Sequence, residues 1–134
     1  MSLTTFINPE SMPSNPAFTQ AVRVSAAADT VYVGGQHGVD GSGQVVGPDL
    51  KSQARQALLN VATCVEAAGG TVADIVKWTI FFRDDQPAED GFAAYIELWG
   101  MRPNPPAITV VQVSGFARPG IVCEIEAVAA IPAQ

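Results

Sequence analysis

Between Asp49 and Ala68 the apolar residues Leu50, Ala54, Ala57, Leu58, Val61 and Val65 return every three or four positions, while Lys51, Arg55, Gln56 and Asn60 fall elsewhere on the circumference. This spacing predicts one long amphipathic helix. Pro48-Asp49 can start it, and Gly69-Gly70 can end it because glycine accepts the left-handed backbone of a helix C-terminus. A helix with a single apolar stripe has to bury that stripe on a partner. The sequence on either side supplies strands, so a sheet is the partner.

Residues 18–28, with Phe18, Ala21, Val22 and Val24, read as a first strand that Asp29-Thr30 turns into Val31–Gln36, forming a hairpin. Asp40-Gly41-Ser42-Gly43-Gln44 has turn chemistry. Asp74–Arg83 is too rich in β-branched and aromatic residues for a helix and predicts a well-buried strand. After Pro87, Ala88–Trp99 predicts a second helix with Phe92, Tyr95, Ile96 and Trp99 on one stripe, stopped by Gly100, Pro103, Pro105 and Pro106. Ile108–Ser114 and Ile121–Ile131 are the last two strands, joined by a turn over 115–120. The order is ββαβαββ, an α+β fold. Two helices cannot cover both faces of such a sheet, so both are expected on one face, with self-association burying the other. Pro9, Pro13 and Pro16 remove backbone donors near the start, so residues 1–14 are expected to be an extended arm ahead of a single domain at 15–134.

Charge narrows the partners. Only 15% of residues are charged, against about 25% in an average soluble domain, which again points to an oligomer. The net charge is −6, and the seven Lys and Arg are scattered singly, so the clustered cations that nucleic-acid binding needs are missing. No apolar run approaches the ~18 residues of a membrane helix. Cys64 and Cys123 lack metal-ligand spacing and read as buried free thiols, which suits a reducing cytoplasm, and the N-terminus shows no signal-peptide pattern. No HExxH, CxxC or paired-His pattern supports a metal, and Gly34-Gly35 lacks the spacing of a dinucleotide loop, so no cofactor is expected.

Four stretches carry a resemblance: Asn15–Ala21, Val33-Gly34-Gly35-Gln36, Gln53–Val61 (Gln-Ala-Arg-Gln-Ala-Leu-Leu-Asn-Val) and Cys123–Ala129 (Cys-Glu-Ile-Glu-Ala-Val-Ala), with Asp74-Ile75-Val76-Lys77 fitting as well. Over about 15–131 the chain resembles the RidA/YjgF enamine/imine deaminase family, also called the endoribonuclease L-PSP family. The resemblance implies a chorismate-mutase-like protomer with a mixed sheet, a homotrimer, and small-molecule sites in the clefts between subunits. It also implies a gap. Where the family's Pro-Ala-Arg-Ser motif clamps a substrate carboxylate, this chain reads Pro106-Ala107-Ile108-Thr109. A bidentate arginine makes charge-assisted bonds roughly twice as strong as neutral ones, and isoleucine offers nothing comparable. The family's nearby Cys falls on Val110, its Ser before Gly-Gln on Gly34, and its Tyr on Phe18, while Glu124 matches the acid that handles the hydrolytic water.

Along a strand alternate residues share a side, so Ile108 groups with Val110, and Glu124 with Glu126. If the last two strands pair, Glu124 faces aliphatic carbons. Desolvation without a cation, with Glu126 adding repulsion, would then make it a general acid or hydrogen-bond donor rather than half of an ion pair. The plainer reading is a pair of partly solvated carboxylates at a channel or strand end. His37, the single histidine, follows Gly34-Gly35-Gln36 and is either a hydrogen-bonded structural residue or a general base. Gly34 and Gly35 allow close approach of backbone N–H groups to a ligand. Arg102 and Arg118, in loops beside the last strands, are either surface charges or a substitute clamp.

The leading expectation is therefore a hydrolase or deaminase acting on an imine, enamine or related compound not anchored by the usual arginine. The alternative is a ligand-binding or regulatory trimer with an apolar pocket. A ribonuclease is disfavoured by the acidic charge balance.

Overall fold

The computed structural model describes residues 2–134. Its elements are β1 (Thr4–Ile7), β2 (Ala21–Val24), β3 (Ala28–Gln36), α1 (Leu50–Ala67), β4 (Ile75–Arg83), α2 (Ala88–Trp99), β5 (Ala107–Val113) and β6 (Cys123–Pro132). The fold is α+β with a mixed sheet and two helices, as expected. Asp49 caps α1 by accepting a hydrogen bond from the Ser52 amide at 2.9 Å, which also holds its carboxyl below the ordinary range. Gly69 beyond the helix end has φ of 98°, the left-handed conformation the sequence implied. Among the described residues no helix is long and apolar enough to cross a membrane.

The main sheet runs β3-β6-β4-β5, with β4 and β5 parallel and the other pairs antiparallel. Two expectations fail here. The last two strands do not pair, because β4 lies between them. Nor do β2 and β3 form a hairpin: β2 pairs with β1, from Thr4 opposite Val24 to Ile7 opposite Ala21, in a separate two-stranded sheet. The prolines begin only at Pro9, so Thr4–Ile7 keeps every backbone donor and forms a strand where an extended arm was expected. β3 pairs instead with β6, whose run of buried residues offers far more apolar surface than the mostly exposed β2.

One face of the sheet carries both helices. Trp78 and Phe82 of β4 and Cys123, Ile125 and Ala127 of β6 meet Leu58, Val61 and Val65 of α1 there, each large side chain contributing about 1.5–3 kcal/mol by burial. Gln53 is the polar exception on α1. Fully buried, its carboxamide donates to the Gly47 and Gly120 carbonyls and accepts from the Val122 amide, tying both flanking loops to the helix. On α2 only half of the expected stripe is buried: Tyr95 and Trp99 are inside, while Phe92 and Ile96 are exposed. Cys64 falls outside the buried stripe of α1 and is exposed, contrary to expectation, whereas Cys123 is buried.

The opposite face of the sheet stays open. Tyr32 is 81% exposed and Val111 38% exposed on that face, and Glu126 is exposed beside them.

Candidate functional site

β6 alternates, so Cys123 and Ile125 point under the helices and Glu124 points to the open face beside Phe81 of β4. Between Val33 and Gln36 the pairing of β3 with β6 shifts, and Gly34 and Gly35 lie in that irregular stretch. The shift sets Gly35 against Glu124 so closely that any Cβ at position 35 would collide with the carboxylate. His37 follows directly. Its Nε2 stands 2.6 Å from Oε1 of Glu124, with the two side chains 27% and 35% exposed. Asn60 of α1 fixes the backbone on both sides of the ring by donating to the carbonyls of His37 (3.1 Å) and Val39 (2.9 Å). Phe116 meets the imidazole edge-on at 6.1 Å between centroids. Gln36 turns back to donate to the Gly34 carbonyl.

This geometry overturns the picture of Glu124 as an isolated acid among aliphatic carbons. Its partner is His37, and Ile108 and Val110 are on the other side of the sheet. Ile108 is level with Trp78 and Val110 with Ile80, both facing the helices. There, with Phe18, Phe82, Phe92 and Tyr95, they line a cavity of about 380 Å³ between the sheet, α1 and α2. Phe18 is held at it by the neighbouring Thr19, whose hydroxyl donates to the Pro105 carbonyl and whose amide donates to the Pro106 carbonyl at 3.1 Å. Burial pushes the Cys123 thiol in the wall up to about 12, helped by the nearby Glu124 charge. The Tyr95 phenol is also raised by burial, with the adjacent Trp78 indole pulling the other way. Among the described residues neither the hydroxyl nor Trp78 Nε1 has a hydrogen-bond partner, although the rings meet edge to face at 5.9 Å.

Neither loop arginine reaches this cavity's wall. Arg102 donates to the Leu98 and Trp99 carbonyls at the end of α2 and lies over the Trp99 ring, and Arg118 donates to the Gly43 carbonyl. Among the described residues, the cavity wall therefore has no cation to hold a carboxylate. Among the described residues no three His, Cys, Asp or Glu side chains converge as metal ligands. The stripe that the sequence predicts on α2 carries no mark of a site, yet its Phe92 and Tyr95 line the cavity. Phe92, 55% exposed at the end of an apolar stripe, is the signal that the stripe is wider than its packing requires.

Comparison with known proteins gives a consistent result. The profile of the family Endoribonuclease L-PSP matches residues 10–131. A 2-iminobutanoate/2-iminopropanoate deaminase of Salmonella typhimurium is 40% identical over 101 residues, covering 74% of this chain and 77% of that protein. A RutC family protein of Haemophilus influenzae is 34% identical over 129 residues, covering 95% and 97%. Among solved structures, the Rid family protein YyfB of Yersinia pestis, described as of unknown function, superposes with a TM-score of 0.85 at 32% identity, covering 97% of this chain and all of its own.

Proposed function

The chain belongs to the Endoribonuclease L-PSP family, which includes the Rid proteins, and from that premise we propose that it is a small-molecule hydrolase of imine or enamine deaminase type whose substrate is not anchored by a carboxylate. The observation that carries this reading is the pairing of the Glu124 carboxylate with His37, 2.6 Å apart over the side-chain-free Gly35, an acid–base couple able to handle water. The body of the substrate occupies the apolar cavity at Ile108, Val110 and Phe18. An ionised carboxylate there would lose its hydration with no cation in return, a penalty of several kcal/mol, which favours uncharged substrates.

The cavity and Glu124 lie on opposite faces of one sheet, so within a protomer the sheet separates them. The site is completed between copies of a homotrimer, where the open face of one protomer meets the cavity mouth of the next. The exposed Tyr32 and Val111 on that open face support this assembly.

The test is to time ammonia release from freshly generated imines with and without a carboxylate. The carboxylate-free imine is expected to react faster, and Glu124→Gln to abolish turnover. Turnover of 2-iminobutanoate at the rate of an arginine-bearing family member would overturn the substrate reading. Mixing Glu124→Gln subunits with subunits whose cavity is filled by Val110→Trp is expected to restore activity that neither has alone. If mixed assemblies stay dead, completion between copies is wrong. The cation-free cavity also favours a second reading, a non-catalytic binder, which predicts that uncharged apolar ligands raise the melting temperature without turnover. Ribonuclease action is disfavoured by the net charge of −6 and the scattered cations.

A further inference from the structure

Position 37 and position 124 are 87 residues apart in sequence, yet their side chains meet at 2.6 Å on the open face. We propose that within this pair the water-activating base is Nδ1 of His37, and that Glu124 acts by fixing the ring. The inference rests on the hydrolase reading for the reaction, but not for the protonation pattern it requires.

A separation of 2.6 Å between Nε2 and Oε1 leaves room for one proton between them. An ionised carboxylate can only accept a hydrogen bond, so the ring nitrogen that faces Oε1 is the one that carries the proton and donates it. Nε2 is then the donor in the neutral and the charged imidazole alike, and the proton that comes and goes is on Nδ1. Among the described residues no hydrogen bond engages Nδ1, whereas Glu124 holds the other side of the ring. The ring is also fixed in place. Asn60 grips the carbonyls of His37 and Val39, Phe116 borders the imidazole, and Gly35 gives the carboxylate its room.

The surrounding charges leave the pair to itself. Glu126, two residues along the same face of β6, is exposed, and Lys77 on β4 donates to the Thr109 hydroxyl. Arg118 is engaged with the Gly43 carbonyl, and α1 presents the uncharged Asn60.

In the reaction, Nδ1 takes a proton from water as its oxygen bonds to the imine carbon. The C=N π pair moves to nitrogen, which then takes that proton from the imidazolium to give the carbinolamine. Nδ1 next removes the hydroxyl proton and delivers it to nitrogen as the C–N bond breaks and C=O forms. Ammonia and the carbonyl compound leave, and His37 is neutral again. Glu124 keeps its contact with Nε2 throughout and stabilises the transient imidazolium.

The chain has one histidine, so its ring nitrogens can be read without overlap. In 15N-labelled full-length protein at about pH 8, above the ordinary imidazole range, long-range 1H–15N correlation is expected to show Nε2 protonated and Nδ1 bare. Glu124→Ala should remove that preference and move both nitrogens toward averaged shifts. A wild-type ring with Nδ1 protonated and Nε2 bare would overturn the proposal, because Glu124 would then be the acid that donates. So would a pattern unchanged in Glu124→Ala.

The kinetic arm uses whichever imine the wild type hydrolyses. His37→Gln is expected to lower kcat by about a hundredfold with KM little changed, and added imidazole to restore part of the rate to His37→Gly. Retained kcat in His37→Gln would overturn the role of the histidine while leaving Glu124 and the hydrolase reading in place. If the wild type turns over no imine while the nitrogen pattern is as expected, the hydrolase reading fails, and the base assignment falls with it.

Discussion

The two faces of β6 are built from adjacent residues and do opposite work. Toward the helices, Cys123 and Ile125 sit in a dry interior whose spare volume becomes an apolar cavity. Toward the open side, Glu124 keeps a third of its surface in contact with solvent and pairs with His37. On the proposed function, one face binds by excluding water and the other handles water. The alternation of a single strand is enough to hold both, because side chains one residue apart point in opposite directions. The comparison predicts that substitutions on the two sides separate cleanly, one set damaging activity and the other stability.

The largest separation is expected at the two positions next to each other. Glu124→Gln should lower hydrolysis by about a hundredfold or more while changing the denaturation midpoint little, since both side chains of the pair keep partial contact with solvent and the amide can still accept from His37. Ile125→Ala should do the reverse, costing about 2–5 kcal/mol of stability by opening a void in the core, measured by urea unfolding. If Glu124→Gln unfolds the protein as readily as Ile125→Ala, the division between the faces is wrong.

A finer test uses the glycine pair. A Cβ at Gly35 would meet the Glu124 carboxylate, whereas one at Gly34 has nothing within 4 Å. Gly35→Ala is expected to cost about 1–3 kcal/mol and to displace Glu124 from His37, seen as a shift of the His37 ring signals. Gly34→Ala should stay within about 0.5 kcal/mol and leave those signals in place. Equal effects at the two positions would remove the close approach of Gly35 from the account.

How far this division was legible in the sequence depends on the range of the interaction that sets it. The helix at 49–68 and the strand at 74–83 were readable to within a residue at each end, because periodicity, the Asp49 cap and Gly69 act locally. The family and the α+β class were also readable, since they live in short motifs. The neighbours of each strand were not. Placing β4 between β5 and β6 depends on a parallel crossover through α2, and period-two alternation carries no record of which strand lies beside which. Glu124 was thus set against Ile108 when it belongs with His37. The misreading of Thr4–Ile7 as arm has the same origin: four residues form a strand only because β2 supplies their partner.

The smallest effect expected concerns the dry face and its thiol. Burial raises Cys123 from an ordinary value near 9.0 to about 12, while exposed Cys64 is solvated in the folded and unfolded chains alike. Below about pH 9 the Cys123 thiol is neutral in both states and has no effect on the pH dependence. Above it the unfolded chain releases the proton and the folded chain retains it, so stability falls as pH rises, at up to about 1.4 kcal/mol per unit, until the folded thiol ionises near 12. Cys123→Val has no proton to release and should lose less stability between about pH 8 and about pH 10 than the wild type, by about 1 kcal/mol in paired urea melts. Other groups that titrate in this window, Tyr95 among them, are common to both proteins and cancel in the difference. Parallel slopes would mean that water reaches Cys123, and that the cavity wall is wetter than its apolar lining implies.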